Sequence, residues 1–315
     1  MITFKNQCSI QGMQKLKDKS VDLIVTDPPY NIAELNKMTV QNGKCISTKK
    51  AWGSDFQDEW NSFEEYYDWL KPFFAEMQRV LKDDGSMIVF LDRNFASTIG
   101  YLLQKDFGLI LKNKLYFQKT NPTTHYAKNN YRSCMEEAIW ISKSNDCKLN
   151  FISQSEMKQV FSGSNGESRS RKRIHPCQKY NWMIEPLIER HSEPGDVVLD
   201  PFAGSGTTLR IAAAMGRKAI GFEKSPALYK AAFIDVFGVV AKPAGVAVND
   251  SYADSNHPVS KRARQIVDEM VKKYNLKTNL KDKSKPAAKH YDVTEIENRA
   301  KQTTSDIFET FATSM

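Results

Sequence analysis

An acidic side chain followed by two prolines and a tyrosine, Asp27-Pro28-Pro29-Tyr30, makes a compact acceptor for an amino group. Asp27 can take one N–H and the Pro28 carbonyl a second. Consecutive prolines hold that carbonyl rigidly, because each fixes its own φ and lacks an N–H. The arrangement suits an aromatic amine, a poor nucleophile whose lone pair is delocalised into its ring. Fixed acceptors that pull such a nitrogen toward tetrahedral geometry work by electrostatic preorganisation rather than by proton abstraction. Tyr30 adds a face on which a purine can stack, worth roughly 1–3 kcal/mol.

A second segment, Asp200-Pro201-Phe202-Ala203-Gly204-Ser205-Gly206-Thr207-Thr208, reads as a turn between a buried strand and a helix. Gly204 and Gly206 let backbone N–H groups approach a ligand at the helix N-terminus. A phosphate-binding loop needs Lys before its Ser/Thr, yet Gly206 is followed directly by Thr207. A dinucleotide fingerprint needs a third glycine where Leu209 stands. Both competitors fail on residues; a turn so stripped of side chains suits a nucleoside-type cofactor, with an ordinary connection between strand and helix as the alternative. Glu223 closes the next predicted strand, placed to accept two ribose hydroxyls as in Rossmann sheets.

The elements that must position these residues are legible as apolar runs and helical periodicity. Val21–Thr26 reads as a buried parallel strand stopped by Asp27 and the prolines. Phe63–Leu81 has helical spacing, Asp83-Asp84-Gly85 reads as a turn, and Ser86–Leu91 reads as a strand. Asn94–Lys105 is a predicted helix, with strands at Leu109–Gln118 and Ala138–Ser142. Ser162–Arg173 reads as a loop, Asn181–His191 as an amphipathic helix, and Val197–Leu199 as a strand. Thr207–Met215 is a predicted helix and Lys218–Phe222 a predicted strand. This alternation implies an α/β fold: a Rossmann-like, mostly parallel sheet with helices on both faces. Beyond about Ala244, two amphipathic helices flank a lysine-rich linker at Lys277–His290.

Together the two motifs resemble those of the DNA amino-methyltransferases, and the order DPPY before DPFAGSGTT is that of the family's β group. The resemblance covers about Asn6 to Val240. It includes His175-Pro176-Cys177-Gln178-Lys179, similar to the family's HPxxKP segment with Tyr180 in place of the last proline. In relatives that segment packs against the methionine end of the cofactor, which implies roles for His175 and Lys179, the latter toward the cofactor carboxylate. Leu115–Lys119, Asn121-Pro122 and Glu137–Lys143, with Phe117 near the family's usual Trp and Thr124 at its second Pro, are similar to the segment that lies against the flipped base. Gln7 stands where relatives often carry an acidic residue touching the cofactor adenine.

The resemblance implies S-adenosyl-L-methionine as cofactor, no metal, and double-stranded DNA as partner. Its implied acceptor residues are Asp27, Pro28, Pro29 and Tyr30. Its implied cofactor residues are Asp200 through Thr208, Glu223, His175 and Lys179. DPPY rather than SPPY favours adenine N6, with cytosine N4 as the alternative. A non-catalytic DNA-binding subunit on the same fold is a further alternative, although such proteins usually lose the acidic acceptor or the glycines. The implied organisation is a catalytic half at 1–111, a target-recognition region at 112–173, a cofactor-binding half at 174–244 and a helical extension at 245–315. A homodimer and a cognate restriction endonuclease are left open as partners, as is a cellular or phage origin.

Charge points the same way. The 45 basic and 37 acidic residues leave a net +8, and Lys112–Arg173 alone holds 12 basic and 5 acidic side chains. Such a segment is a footprint for phosphates. The cysteines Cys8, Cys45, Cys134, Cys147 and Cys177 show no zinc spacing, and their odd number suggests reduced thiols in a bacterial cytoplasm. The sequence shows no signal peptide or membrane span, since its longest apolar runs are too short to cross a bilayer.

Overall fold

Val21–Thr26 is a strand buried along its whole length, as an apolar, β-branched run between two parallel neighbours must be. The computed structural model describes residues 1–31, 38–41, 44–47, 60–122, 130–165, 175 and 177–241. In chain order the elements are β1 (Ile2–Asn6), α1 (Ser9–Met13), β2 (Val21–Thr26), β3 (Met38–Gln41), β4 (Lys44–Ser47), α2 (Phe63–Val80), β5 (Leu81–Leu91) and α3 (Ala96–Phe107). Next come β6 (Ile110–Lys119), β7 (Met135–Ser142), β8 (Val160–Gly163), α4 (Asn181–His191), β9 (Val197–Asp200), α5 (Thr207–Ala214), β10 (Lys218–Glu223) and α6 (Pro226–Ala241).

Eight strands form one sheet in the order β1-β10-β9-β2-β5-β7-β6-β8, and β3 with β4 makes a separate antiparallel pair. From β1 to β5 every pairing is parallel. Strand β7 runs antiparallel to both of its neighbours, and β8 is parallel to β6. The mostly parallel sheet expected from the alternation is therefore present.

Side chains alternate between two cores. Ile24, Met87 and Val89 face a cluster with Met13, Phe74 and Ile99 from α1, α2 and α3. Leu23, Val25, Ile88 and Phe90 face a second cluster with α4, α5 and α6, through residues such as Leu187, Leu209 and Val236. This period of two, buried on both sides, makes the central strands read as unbroken apolar runs. Helix α2 starts where Ser62 Oγ accepts from Glu65 N at 3.1 Å, a standard N-cap.

Asp83-Asp84-Gly85 corrects one expectation, since these residues lie inside β5 rather than in a turn before it. Asp83 and Asp84 face water, and the pairing with β2 slips register between Val21 and Leu23. A Cβ at Gly85 would fall 2.7 Å from Leu81 Cδ1 and 2.8 Å from the Asp22 carbonyl, so this irregular stretch needs glycine. Residues 166–173 of the expected loop, and the helices and linker expected beyond 244, lie outside the described residues.

Candidate active site

The motif residues meet because their strands end side by side. Registers Asn6↔Glu223, Gly221↔Asp200 and Ile24↔Leu199 align the carboxyl ends of β1, β10, β9 and β2. Gln7, Glu223, Asp200 and Asp27 therefore lie in a row along one edge of the sheet, where ligands of open α/β sheets bind. Thr26 Oγ1 donates to Asp200 Oδ1 at 2.8 Å and ties the two motifs directly.

On the acceptor side, Tyr30 Oη donates to Asp27 Oδ1, while Lys179 Nζ lies 2.7 Å from Asp27 Oδ2 and 2.9 Å from Tyr30 Oη. Pro28 is buried, and the Pro29 carbonyl accepts from Tyr66 Oη at 2.6 Å. Asn31, just beyond, takes a left-handed φ of 60°, and its Oδ1 accepts from Trp60 N at 2.8 Å. The tyrosine is thus held at the end of a braced, rigid segment. Lys179 is aimed inward by a turn in which His175 Nδ1 accepts from Cys177 N and the His175 carbonyl from Gln178 N. His175 accordingly builds the local turn. Lys179, expected toward the cofactor carboxylate, reaches the acceptor cluster, with its ammonium 5.1 Å from the centres of both the Tyr30 and Phe90 rings.

A second carboxylate joins this cluster. Glu136, near the start of β7, places Oε2 3.0 Å from Lys179 Nζ and Oε1 2.5 Å from Lys119 Nζ. Burial works against each charge, and its balance with the neighbours differs from group to group. Glu136 is brought down to about 2 because Lys179 and Lys119 outweigh its desolvation. Lys179 stays well above the usual lysine range because Asp27, Glu136 and Tyr30 overcome its burial. Asp27 is raised, since desolvation exceeds the pull of Lys179 and the Tyr30 hydrogen bond, and Glu136 adds to the rise. Burial and the Asp27 charge lift the Tyr30 phenol well above its ordinary value, so its hydroxyl stays protonated.

The glycine turn has the features of a cofactor cradle. Gly204 and Gly206 have φ of 50° and 75°, in the region that favours glycine. A Cβ at Gly206 would fall 2.2 Å from Val236 Cγ2, whereas one at Gly204 would meet nothing nearer than the Phe202 carbonyl at 3.8 Å. Gly206 therefore serves packing, while Gly204 leaves the turn open. Glu223 receives backbone N–H groups, Gly204 N on Oε2 at 3.1 Å and Ser225 N on Oε1 at 2.7 Å. Lone pairs on both oxygens remain for hydroxyl donors. Asp200, Ser205, Thr207 and Thr208 are buried at the base of the turn. Desolvation pushes Asp200 up to about 7 against hydrogen bonds from Thr26, Thr208 and Phe202 N. Pro201 accepts from Ser9 Oγ through its carbonyl. The Phe202 ring packs 4.9 Å from Phe73, and Ala203 N donates to the Phe222 carbonyl at 3.0 Å. Gln7 Nε2 is buried and makes no hydrogen bond among the described residues, which leaves it open to a hydrogen-bonding ligand. These residues fit the nucleoside part of such a cofactor.

Much of the basic segment is spent internally. Lys114 pairs with Glu137 at 2.5 Å, Lys148 with Asp196 at 2.7 Å, and Lys112 Nζ donates to the Asn145 carbonyl at 3.0 Å. Lys143 donates to the Leu81 carbonyl. Glu137, the residue that the sequence segment singled out, faces Lys114, and its neighbour Glu136 enters the site instead. The basic residues Arg169, Arg171, Lys172 and Arg173 lie outside the described residues. Among the described residues, no helix is long and apolar enough to cross a membrane.

Comparison with known proteins gives a consistent set of similarities. The family model described as DNA methylase matches residues 21–233. Type II methyltransferase M.HinfI of Haemophilus influenzae is 32% identical over 235 residues, which is 70% of this chain and 64% of that protein, so the match spans just under two thirds of that relative. Type II methyltransferase M2.LlaDCHI of Lactococcus lactis subsp. cremoris is 30% identical over 236 residues, 71% of this chain and 85% of the relative. Among solved structures, the M1.HpyAVI-SAM complex covers 75% of this chain and 99% of its own, with a TM-score of 0.58 and 23% identity. PvuII DNA methyltransferase, described as cytosine-N4-specific, covers 86% of this chain and 94% of its own, with a TM-score of 0.59 and 20% identity. At those identities the two structures speak to the fold.

Proposed function

The chain belongs to the DNA methylase family, and on that premise we propose that it transfers a methyl group from S-adenosyl-L-methionine to the N6 amino group of an adenine in double-stranded DNA. The observation that carries this reading is the Thr26–Asp200 hydrogen bond of 2.8 Å, which sets the acceptor carboxylate Asp27 beside the glycine turn.

In this mechanism Asp27 accepts one amino N–H and the Pro28 carbonyl the other, while Tyr30 stacks on the purine. The Lys179 ammonium opposes the desolvation that raises Asp27 and orients its carboxylate. When bound, the cofactor would supply an electrophilic methyl group, and Glu223, Gly204 and the N-terminus of α5 would hold it. Lining up amine and methyl along one edge of the sheet converts binding into reaction geometry. A paired adenine cannot reach Asp27, so it must leave the duplex. Residues 112–173 act as the target-recognition region between the catalytic half at 1–111 and the cofactor half at 174–244. The choice of adenine rests on Asp27, which the family associates with N6.

The test is incubation with unmethylated genomic DNA and S-adenosyl-L-methionine, followed by mass spectrometry of the digested nucleosides. N6-methyldeoxyadenosine should appear, and should be lost in Asp27→Ala. N4-methyldeoxycytidine in its place would reassign the base. Cofactor and DNA binding without either product would identify a non-catalytic subunit.

A further inference from the structure

Resting on the function proposed above, we propose that Glu136 is a positioning residue for methyl transfer: from the target-recognition region it seats Lys179 against the Asp27 carboxylate, with Lys119 as its own counter-charge. The four side chains form an unbroken series of alternating sign. Lys119 lies 2.5 Å from Glu136 Oε1, Lys179 lies 3.0 Å from Glu136 Oε2, and the same Lys179 nitrogen lies 2.7 Å from Asp27 Oδ2. The Lys179 side chain is only 11% exposed. The series is electrically neutral only while Asp27 is ionised.

A buried lysine facing one carboxylate would need no second acid, because removing an additional charge from water is costly unless it is paired. Glu136 therefore calls for a reason beyond packing. Drawn fully onto Asp27, the ammonium would weaken that carboxylate as an acceptor for a substrate N–H. Glu136 shares the ammonium, with Oε2 3.0 Å from Lys179 Nζ, a charge-assisted contact beside the one Lys179 makes to Asp27. The other groups facing Asp27 are Tyr30, whose hydroxyl donates to Oδ1, and the carboxyl of Asp200. Lys119 and Lys179 face Glu136.

Topology supplies the link to DNA recognition. Because β7 runs antiparallel, its first residues sit at the edge where the parallel strands have their last ones, with Leu91 opposite Glu137. Lys119 ends β6 beside it, with its N–H on the Cys134 carbonyl at 2.7 Å. The end of β6 and the start of β7, both within the proposed target-recognition region, thus meet the series that reaches Asp27.

The decisive experiment is the pH profile of kcat for wild type, Glu136→Gln, Glu136→Asp and Lys179→Met. Glu136→Gln should lower kcat on the order of 100-fold with the KM for S-adenosyl-L-methionine unchanged. It should also move the acid limb to lower pH, because a negative charge near Asp27 is gone. Glu136→Asp should return the limb toward wild type, and Lys179→Met should move it to higher pH. A loss of kcat in Glu136→Gln with the limb in place would reduce Glu136 to a structural residue and overturn the proposal. So would shifts of the same sign in Glu136→Gln and Lys179→Met. Titration of the Asp27 carboxyl by ¹³C NMR, assigned through its loss in Asp27→Asn, reads the same signed shifts without turnover. Opposite shifts in a protein that methylates no DNA would sink the proposed function and leave the Glu136–Lys179 clamp standing.

Discussion

Thr26 Oγ1 donates to Asp200 Oδ1 at 2.8 Å across 174 positions of sequence, and Asp27 is the residue that follows Thr26. One hydroxyl therefore joins the base of the glycine turn to the strand end that carries Asp27. Thr26→Val keeps the shape and removes this donor beside a buried carboxyl. It should cost about 1–3 kcal/mol of stability and weaken S-adenosyl-L-methionine binding. Thermal unfolding with and without the cofactor would measure both, and a variant unchanged in each would show that the bond joins nothing of consequence.

Asp27→Ala should lower methyl transfer by at least about 100-fold, the scale of removing one preorganised electrostatic partner. Cofactor affinity should persist, because Glu223 and the turn are untouched. Radiolabelled methyl incorporation and calorimetry read the two quantities separately.

The two glycines should respond differently to alanine. At Gly204 an added methyl finds open space but a left-handed backbone, so Gly204→Ala should cost about 1–2 kcal/mol while reducing cofactor affinity more than stability. At Gly206 the methyl meets Val236 at 2.2 Å, so Gly206→Ala should lower Tm further, and Val236→Ala should restore part of that loss. Melting curves of the single and double variants decide it.

Two buried groups tilt stability with pH in opposite directions. His191 packs edge-on to Trp140, with ring centroids 4.7 Å apart, and burial with the nearby Arg190 charge lowers it from 6.5 to about 3. A depressed histidine loses stability as pH falls, so the advantage of wild type over His191→Leu should shrink from pH 6.5 down to about 3. Asp200 is raised from 3.8 to about 7. Its contribution is full below 3.8 and lost as pH rises to about 7, so wild type should lose ground to Asp200→Asn over that window. Each slope is at most about 1.4 kcal/mol per pH unit. Urea unfolding across the range would test the signs, and parallel slopes would refute them.

Because Lys114, Lys143 and Lys148 bond within the protein, neutralising them should lower Tm and leave the salt dependence of DNA affinity nearly intact. Replacing Arg169, Arg171, Lys172 and Arg173 should instead flatten the slope of log K against log salt by about 0.9 for each phosphate that is no longer neutralised. Equal flattening by both sets would show that the inner lysines also serve DNA.

Legibility follows how local the cause is. Val21–Thr26 and Asn181–His191 are strand and helix with the bounds their residue patterns imply, since one is apolar throughout and the other amphipathic. Glu223 beside Gly204 is also readable, because a strand end next to a glycine turn is a local relation. Glu136 is not. Its entry into the site depends on β7 running antiparallel, and nothing in Met135–Ser142 announces direction. The partners of Lys179 are hidden for the same kind of reason, since an ion pair to Asp27 requires knowing which strand ends are neighbours. Strand β1 and helix α6 escape a reading by pattern because a short mixed segment and a mostly apolar one carry little periodicity.

Strand β2 has its two neighbours at Leu81–Leu91 and Val197–Asp200. During synthesis it can pair with β5 early, but its other apolar edge stays open until β9 emerges much later. Such an edge is a template for pairing with another chain. A fragment that stops short of Val197 would keep Asp27 and Tyr30 and still be a poor minimal acceptor, because it would assemble edge to edge with its copies before it could bind anything else.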